Sequence, residues 1–271
     1  MSHQPEPDGR SAPALAAFDE QMRRASVPNQ PGTCAEWDGR VRRHVDRATG
    51  ADCTVIWSEL DEASADAAIS AQVRHFAELG LPFEWKYHAH DRPADLPARL
   101  RAAGFEEDEP EAVMIADLEA VGDGLESVAP PDGIRVVPVT DDDGLRRLVS
   151  LHDEVFGERG DAFGRALQAQ FAAAPDSMVP VLALAGDRSV CGARIEFYRG
   201  TSFASLWGGG TLPAWRGRGV YRALVGYRAR LARERGVLYL HVDASSESRS
   251  ILERLGFVRI STAVAFRKSP A

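Results

Sequence analysis

The chain has 271 residues, of which 44% are apolar, and a formal net charge of −8. This length and composition predict one large globular domain or two smaller ones, each with a buried core. The negative charge argues against general nucleic-acid binding, because affinity for a phosphate backbone needs clustered Lys and Arg. The three cysteines are widely spaced and form no Cys-x-x-Cys pair, which argues against a disulfide framework or a zinc site.

The first ten residues, MSHQPEPDGR, are polar and Pro-rich and predict a disordered tail. They lack the basic and then apolar layout of a signal peptide, and no apolar run in the chain is long enough to cross a bilayer. We therefore expect a cytoplasmic protein without a membrane partner.

The first half of the chain predicts alternating helices and strands. A helix begins at Ser11, and a second helix ends at Gly80 after apolar residues at helical spacing. Strands are predicted at 41–45, 53–60, 83–90 and 112–118, and a further helix at 95–104. The stretch 119–133 is rich in Gly, Pro and acidic residues and predicts a linker.

The second half predicts a strand over 134–139, helices over 141–156 and 161–173, and strands over 179–185, 190–198 and 202–212. A Gly- and Arg-rich turn follows, and after it come a helix from Val220, a strand over 237–243, a helix over 246–256 and a final strand. Strands that precede helices in this order predict an α/β (α+β) fold with a mixed sheet packed against helices.

Two stretches of the chain resemble each other without a gap. YHAHDRPADLPARLRAAGF (87–105) aligns with YLHVDASSESRSILERLGF (239–257), and each follows a long amphipathic helix and precedes a strand. Leu100 aligns with Leu252, Gly104 with Gly256 and Phe105 with Phe257. The match predicts a degenerate internal duplication, in which the Gly- and Arg-rich turn occurs only in the second copy.

That turn, GGGTLPAWRGRGVYRAL (208–224), has the composition of an anion site. Glycines between a strand and a helix leave backbone N–H groups unshielded, and the helix N-terminus adds partial positive charge. A β-carbon at Gly217 or Gly219 would hold a phosphate away or forbid the turn. A Walker A loop is argued against because no Lys-Ser/Thr pair follows, and a dinucleotide fingerprint because the third glycine is missing.

The turn and its setting resemble the GNAT superfamily of N-acetyltransferases, whose signature is Arg/Gln-x-x-Gly-x-Gly/Ala between a strand and a long helix. The resemblance covers 134–271 and includes the RGRG turn and the ending ILERLGF (251–257). It implies a GNAT fold with a mixed, mostly antiparallel central sheet flanked by helices. It also implies a GNAT domain over 134–271, preceded by a partial GNAT-like domain over 11–118 that lacks the cofactor turn.

The resemblance implies an acyl-CoA-dependent N-acyltransferase, with acetyl-CoA or another acyl-CoA as co-substrate, no metal, and a small-molecule amine as the other substrate. A homo-oligomer stays open. The residues implied in acyl-CoA binding are Gly210, Thr211, Leu212, Arg216, Gly217, Arg218, Gly219, Val220, Tyr221, Arg222 and Ser245. The alternative is a GNAT-like protein that binds acyl-CoA or docks a partner without turnover.

The sequence departs from the family at several positions. Tyr221 replaces the last Gly/Ala of the signature, and Ser245 replaces a frequent Asn. Leu252 and Leu240 stand where the family often has a Tyr acid and a Glu base, and this favours the non-catalytic alternative.

Glu196 and His241 are the candidate catalytic residues that remain, since each lies on a predicted strand of the sheet and can accept a proton. A surface position for Glu196 and a packing role for His241 stay open. Asp243 is interpreted as a helix cap, because Asp91 occupies the same place in the copy without the turn.

Other residues carry weaker signals. His88, His90 and Asp91 form a cluster that resembles metal ligands, but two histidines on one strand face are not a metal site without a third convergent ligand. Trp207 can line a substrate pocket or fill the core. Acidic side chains between the two helices would favour a cationic amine, and these are Glu154, Glu158 and Asp161.

Overall fold

The computed structural model describes residues 11–48, 50, 52–157 and 161–270. The tail predicted at 1–10 lies outside the described residues. Packing divides the chain into a first unit (1–114, 243–247 and 259–271) and a second unit (115–242 and 248–258). Residues 243–247 and 259–271, which the sequence analysis placed in the C-terminal domain, thus pack with the first half. The predicted boundaries of GNAT-like and GNAT domains stay a prediction.

The first unit is a sheet with helices packed on it. The strand order is β1-β2-β3-β4-β12, and β5 also pairs with β12. The strands are β1 (Thr33–Asp38), β2 (Val41–Asp46), β3 (Thr54–Ser58), β4 (Phe83–His88), β5 (Glu106–Glu107) and β12 (Val258–Lys268). The helices are α1 (Ser11–Phe18), which continues as a π-helical stretch over Asp19–Arg24, α2 (Ala65–Leu79) and α3 (Leu96–Ala102).

The core of this unit lies between α2 and the sheet. Ile69 and Phe76 of α2 are 2% and 0% exposed, as their helical spacing predicts. The Phe76 ring stacks on Phe83 with centroids 4.2 Å apart, and Phe83 meets Phe105 edge-on at 5.2 Å. Burial of each of these rings stabilises the fold by about 2 kcal/mol.

The second unit contains the strand order β11-β10-β9-β8-β7. Its strands are β7 (Ile134–Pro138), β8 (Met178–Ala185), β9 (Arg188–Phe197), β10 (Phe203–Thr211) and β11 (Tyr239–Ala244). The boundary between the two units, after residue 114, falls within β6 (Glu111–Asp117). Its helices are α4 (Asp142–Phe156), α5 (Asp161–Ala173), α6 (Val220–Glu234) and α7 (Ser246–Arg254).

Helices cover both faces of the second sheet. Leu148 of α4 packs with Leu182 of β8 in one cluster, whereas Val181 packs with Leu224 of α6 in another. Because successive strand residues point to opposite faces, α4 and α5 lie on one side of the sheet and α6 on the other. The alternating apolar residues of β8 therefore serve two separate cores.

The predicted mixed sheet is confirmed. In each unit one strand pair is parallel, β3 with β4 and β10 with β11, and the other pairs described within the units are antiparallel. A helix joins the two strands of each parallel pair, α2 in the first unit and α6 in the second. The sequence analysis missed β1 and β5.

The two stretches predicted to be duplicated have the same helix ending, at the end of α3 and of α7. Gly104 and Gly256 have φ angles of +81° and +90°, a left-handed conformation that glycine adopts without a steric cost. The next residues, Phe105 and Phe257, are buried, and their N–H groups donate to Leu100 O and Leu252 O, each at 3.1 Å. Equivalent residues thus make the same helix ending in both copies.

The segment predicted as a linker is packed against α6. Arg233 of α6 donates to Leu118 O at 2.6 Å and to Gly122 O at 3.0 Å, and it pairs with Glu126. Leu125 is 3% exposed. The segment has little regular structure, as predicted, but it is held by specific contacts. Among the described helices, none is long and apolar enough to span a membrane.

Candidate active site

The Gly- and Arg-rich turn connects β10 to α6. Gly217 and Gly219 have φ angles of +72° and +84°, and a β-carbon at Gly217 would meet no atom within 4 Å. Arg216, Gly217 and Arg218 are exposed. In the described residues, no backbone hydrogen bond outside helices and strands has its donor between Gly217 and Arg222, whereas Ala223 N–H donates to Gly219 O. The turn therefore presents free amides at the N-terminus of α6, as an anion site requires.

Two arginines of the turn are held beside these amides. Arg216 Nε donates to Thr211 O at 3.2 Å, and the Arg218 guanidinium lies 5.0 Å from the Trp215 ring centroid. Arg222, one turn into the helix, is exposed. The sequence-predicted cofactor residues from Thr211 to Arg222 thus lie together at one end of the sheet.

Each of the three consecutive glycines at 208–210 is required for a different structural reason. Gly208 has a φ of +60°, and a β-carbon at Gly209 would lie 2.7 Å from Cε2 of Tyr221. A β-carbon at Gly210 would lie 2.9 Å from Cγ1 of Val155 on α4. The strand register shifts between Trp207 and Gly210. Glycine thus permits a bulge in β10 and the close approach of two helices.

β10 and β11 separate before β10 ends. Their parallel pairing joins Phe203, Ala204 and Ser205 to Tyr239, Leu240 and His241. β10 continues to Thr211, and on its other edge it stays paired with β9. In the described residues the β11 side of 206–211 has no strand partner, so its backbone groups are open to an extended ligand.

The two candidate catalytic residues lie in one row across three strands. Glu196 of β9 is opposite Ser205 of β10, and Ser205 is opposite His241 of β11. All three are buried, and Ser205 Oγ lies 2.9 Å from His241 Nδ1. Because they alternate with residues that face α6, this row faces α4 and α5. Glu196 is not the surface residue that the alternative interpretation allowed.

A hydrogen-bonded chain leads to His241. Trp207 Nε1 donates to the Tyr198 hydroxyl at 3.3 Å, and that hydroxyl also bonds with Ser205. Burial raises the pKa of Tyr198, and Glu196 nearby raises it further, so the phenol keeps its proton. The hydroxyls of Tyr198 and Ser205 can each donate and accept, and the direction of the Ser205–His241 bond depends on the tautomer of the imidazole. Trp207 therefore lines this network.

Arg194 is the charged partner of Glu196. Its Nε donates to Glu196 Oε1 at 2.7 Å, and the two side chains are 16% and 7% exposed. The guanidinium lies 5.7 Å from the Phe163 ring centroid and 5.5 Å from that of Trp207. The sequence analysis missed Arg194, Ser205 and Tyr198, although the alternation of 194, 196 and 198 along the strand predicted over 190–198 is a signal that they share a face.

Tyr221 lies inside the protein rather than over the turn. Burial raises the pKa of its hydroxyl, which lies beside the buried Arg228 guanidinium. Its ring fills the space left by Gly209. The larger side chain at the last signature position therefore leaves the amides of the turn accessible.

The remaining predicted residues fall into three groups. Leu240 and Leu252 are fully buried and have no polar function. Ser245 is exposed at the end of β11, and its cofactor role stays a prediction. Glu154 lies 3.6 Å from Arg188, Asp161 begins α5, and Glu158 lies outside the described residues.

The interpretation of Asp243 and Asp91 as helix caps is wrong. Asp243 pairs with Lys86 at 2.9 Å. Asp91 accepts from Arg23 at 2.7 and 2.8 Å and from the backbone of His88 at 2.9 Å. Both carboxylates lie in buried ion pairs, which the local sequence does not reveal.

The parallel strands β3 and β4 of the first unit correspond to β10 and β11 of the second. In the first unit, Arg23 occupies the place that corresponds to the gap between β10 and β11. The parallel pairing of β3 and β4 joins residues 54–55 to 84–85, and the 1% exposed Arg23 donates from Nε to Ile56 O at 3.2 Å. His90 joins this network through Asp19 and Ser261. In the described residues, no group of three or more His, Cys, Asp or Glu side chains could hold a metal ion.

Comparison with known structures identifies the fold. A GCN5-related N-acetyltransferase from Kribbella flavida aligns over 97% of this chain and 95% of its own, with 15% identity and a TM-score of 0.68. A conserved protein of unknown function from Staphylococcus epidermidis aligns over 87% and 93%, with 13% identity and a TM-score of 0.68. A tandem GNAT protein from the clavulanic acid biosynthesis pathway aligns over 89% and 85%, with 15% identity and a TM-score of 0.60. The chain therefore has the fold of GNAT proteins, including tandem ones.

The sequence comparison is consistent with this fold. Residues 145–257 match the Acetyltransferase (GNAT) family, and this part of the chain is a GNAT domain. No curated protein matches the chain. The matched range includes the turn, the row of Glu196, Ser205 and His241, and the end of α7.

Proposed function

We propose that the protein is an acyl-CoA-dependent N-acyltransferase that transfers acetyl from acetyl-CoA to a primary amine. The observation that carries this proposal is the exposed turn at Gly217–Arg222, whose amides have no other acceptor in the described residues. A β-carbon at Gly217 would project into open space, which is the space a diphosphate needs. The turn occurs once in the chain, so we expect one acyl-CoA site.

The residues of the turn and those of β10 would bind different parts of acetyl-CoA. Amides from Gly217 to Arg222 would hold the diphosphate, with Arg216 and Arg218 as neighbouring cations. The open edge of β10, ending at Thr211, would pair with the amides of the pantetheine arm. The backbone N–H of Thr211 would stabilise the negative charge that develops on the thioester oxygen, since Leu212 N–H already donates to Val190 O.

Bound acetyl-CoA supplies an activated acyl group, and the chain contributes position and proton transfer. Holding the amine beside the thioester removes most of the entropic cost of a two-substrate reaction. We assign acceptance of the amine proton to His241 through Ser205, because Glu196 already accepts from Arg194.

A second candidate is a GNAT-like protein that binds acyl-CoA without turnover. It is favoured by Leu240 and Leu252, which are buried where the family often carries its base and acid. Release of free thiol in the presence of a panel of amines separates the two functions. Thiol release that matches amine consumption supports the enzyme, and tight acetyl-CoA binding without release supports the binder.

Calorimetric titration with acetyl-CoA tests the site itself. We expect Gly219→Asp to abolish binding, because it places a β-carbon and a negative charge among the amides. Gly236→Asp is the matched control, since Gly236 lies after the other end of α6 with a φ of +72° and no atom within 4 Å of its β-carbon. The assignment is refuted if the wild type does not bind, or if Gly219→Asp binds as the wild type does.

A further inference from the structure

Arg194 has unused hydrogen-bonding capacity. Its side chain is 16% exposed, and Nε is taken by Glu196. In the described residues no group accepts from Nη1 or Nη2, so four N–H donors face no protein acceptor. Neither terminal nitrogen is among the fully buried, unpartnered atoms of the described residues, so both reach solvent and are accessible to a ligand.

The surroundings of this guanidinium suit a carboxylate. Phe163 and Trp207 flank it at 5.7 and 5.5 Å, which keeps its plane in a fixed orientation and limits water. A planar guanidinium held in this way presents two parallel N–H groups to two carboxylate oxygens. Such a charge-assisted, two-point contact is stronger and more selective than a contact with a neutral group.

Arg194 also lies close to the place proposed for the chemistry. It is directly opposite Trp207, the last residue before the bulge of β10. A β-carbon at Gly208 would lie 3.4 Å from Arg194 Nη1. Glu196, Ser205 and His241 lie on the same face of the sheet, in the row next to that of Arg194 and Trp207. A cationic group and a proton-accepting group are thus presented together.

We propose that the amine acceptor is an amino acid, or a similar amine with a carboxylate, and that Arg194 binds this carboxylate. This inference rests on the function proposed above. The amine nitrogen forms the new C–N bond with the acetyl carbon, the C–S bond breaks, and its electron pair goes to sulfur. The proton that the amine loses reaches the thiolate, which leaves as free CoA. Polyamines and other amines without an acid group would bring a second cation near Arg194 without a carboxylate for its terminal nitrogens, and are disfavoured.

The test compares amino acids with their decarboxylated amines. Thiol release is measured with phenylalanine and phenethylamine, lysine and cadaverine, and serine and ethanolamine. We expect the wild type to prefer the amino acid in at least one pair by about a hundredfold in kcat/KM. Arg194→Lys keeps the charge but loses the two-point contact, so this preference should fall at least about tenfold.

Arg188→Lys is the matched control, because Arg188 lies on the same strand with a 64% exposed side chain and should leave the preference unchanged. If Arg194→Lys does not fold, the double variant Arg194→Met/Glu196→Gln removes both charges and should lose the same preference. The proposal is overturned if no pair favours the amino acid, or if the preference survives in the Arg194 variants.

A binding measurement separates this proposal from the proposed function. With CoA present, an amino acid that binds at Arg194 raises the melting temperature of the wild type, and its decarboxylated amine does not. If acetyl-CoA binds and amines are acetylated without regard to a carboxylate, the transferase stands and the carboxylate site fails. If acetyl-CoA does not bind, the transferase itself fails. If no amino acid raises the melting temperature and none is acetylated, the proposed carboxylate site is overturned.

Discussion

His44 should make the stability of the folded chain sensitive to mild acid. It lies on β2, is 7% exposed, and has the Arg42 guanidinium nearby. Burial, and then the positive charge of Arg42, lower the pKa of His44 from 6.5 to about 4, although a hydrogen bond with the backbone of Ser26 opposes this. His88 has a pKa well below its ordinary value for the same leading reason, burial.

The sign and size of the effect follow from proton linkage. Between about pH 4 and 6.5 the unfolded chain binds a proton at position 44 that the folded chain does not bind. The stability contributed by neutral His44 is therefore complete above pH 6.5 and is lost as the pH falls to about 4. The gap between the two pKa values corresponds to about 3 kcal/mol of the unfolding free energy.

Urea unfolding at a series of pH values measures this contribution. The wild type should lose stability steadily from about pH 6.5 downward, and His44→Gln should lose about 3 kcal/mol less over the same range. Carboxylates also titrate at the acidic end, but the difference between the two proteins isolates His44. Parallel stability curves for wild type and variant would refute the reasoning, because they would mean that position 44 binds the same number of protons in both states.

Three further predictions concern the turn, His241 and the cysteines. Gly217→Ala and Gly236→Ala should each lose about 1–2 kcal/mol of stability, since both glycines have a φ of +72°, but only Gly217→Ala should weaken acetyl-CoA binding in calorimetry. His241→Gln should lower kcat by about a hundredfold while the fold, checked by circular dichroism, is retained; an unchanged kcat contradicts its role. Burial raises the pKa of the Cys191 thiol to about 11, so iodoacetamide should modify exposed Cys34 in the folded protein and reach Cys191 only after unfolding, as mass spectrometry can show.

The helices, most of the strands and the anion-binding turn could be predicted because their signals are local. Gly217 and Gly219 are needed by the conformation of the turn itself, and the periodicity of α6 is visible in the sequence. β1 was missed because TCAEWD is a polar segment whose burial pattern does not alternate cleanly. Edge strands give weak patterns since the sheet covers less of their surface.

The assembly of the site could be predicted only in part. Glu196 and His241 were each named from chemistry, but their common partner Ser205 depends on the register of three strands. Register is fixed by pairing and packing over long sequence distances. The ion pair of Lys86 with Asp243 is non-local in the same way, and a short acidic residue before a helix resembles a cap until its partner is known.

The position of β12 has a consequence for biosynthesis. Residues Ala263–Lys268 pair with His88–Phe83 of β4, so the first unit is completed only after the intervening second unit has been translated. While the ribosome is still working, the edge of β4 stays uncovered, and an early stop codon near position 258 would damage the first half of the protein rather than the second. A nascent chain of this kind depends on rapid completion, or on a chaperone, to keep that edge from pairing with another molecule.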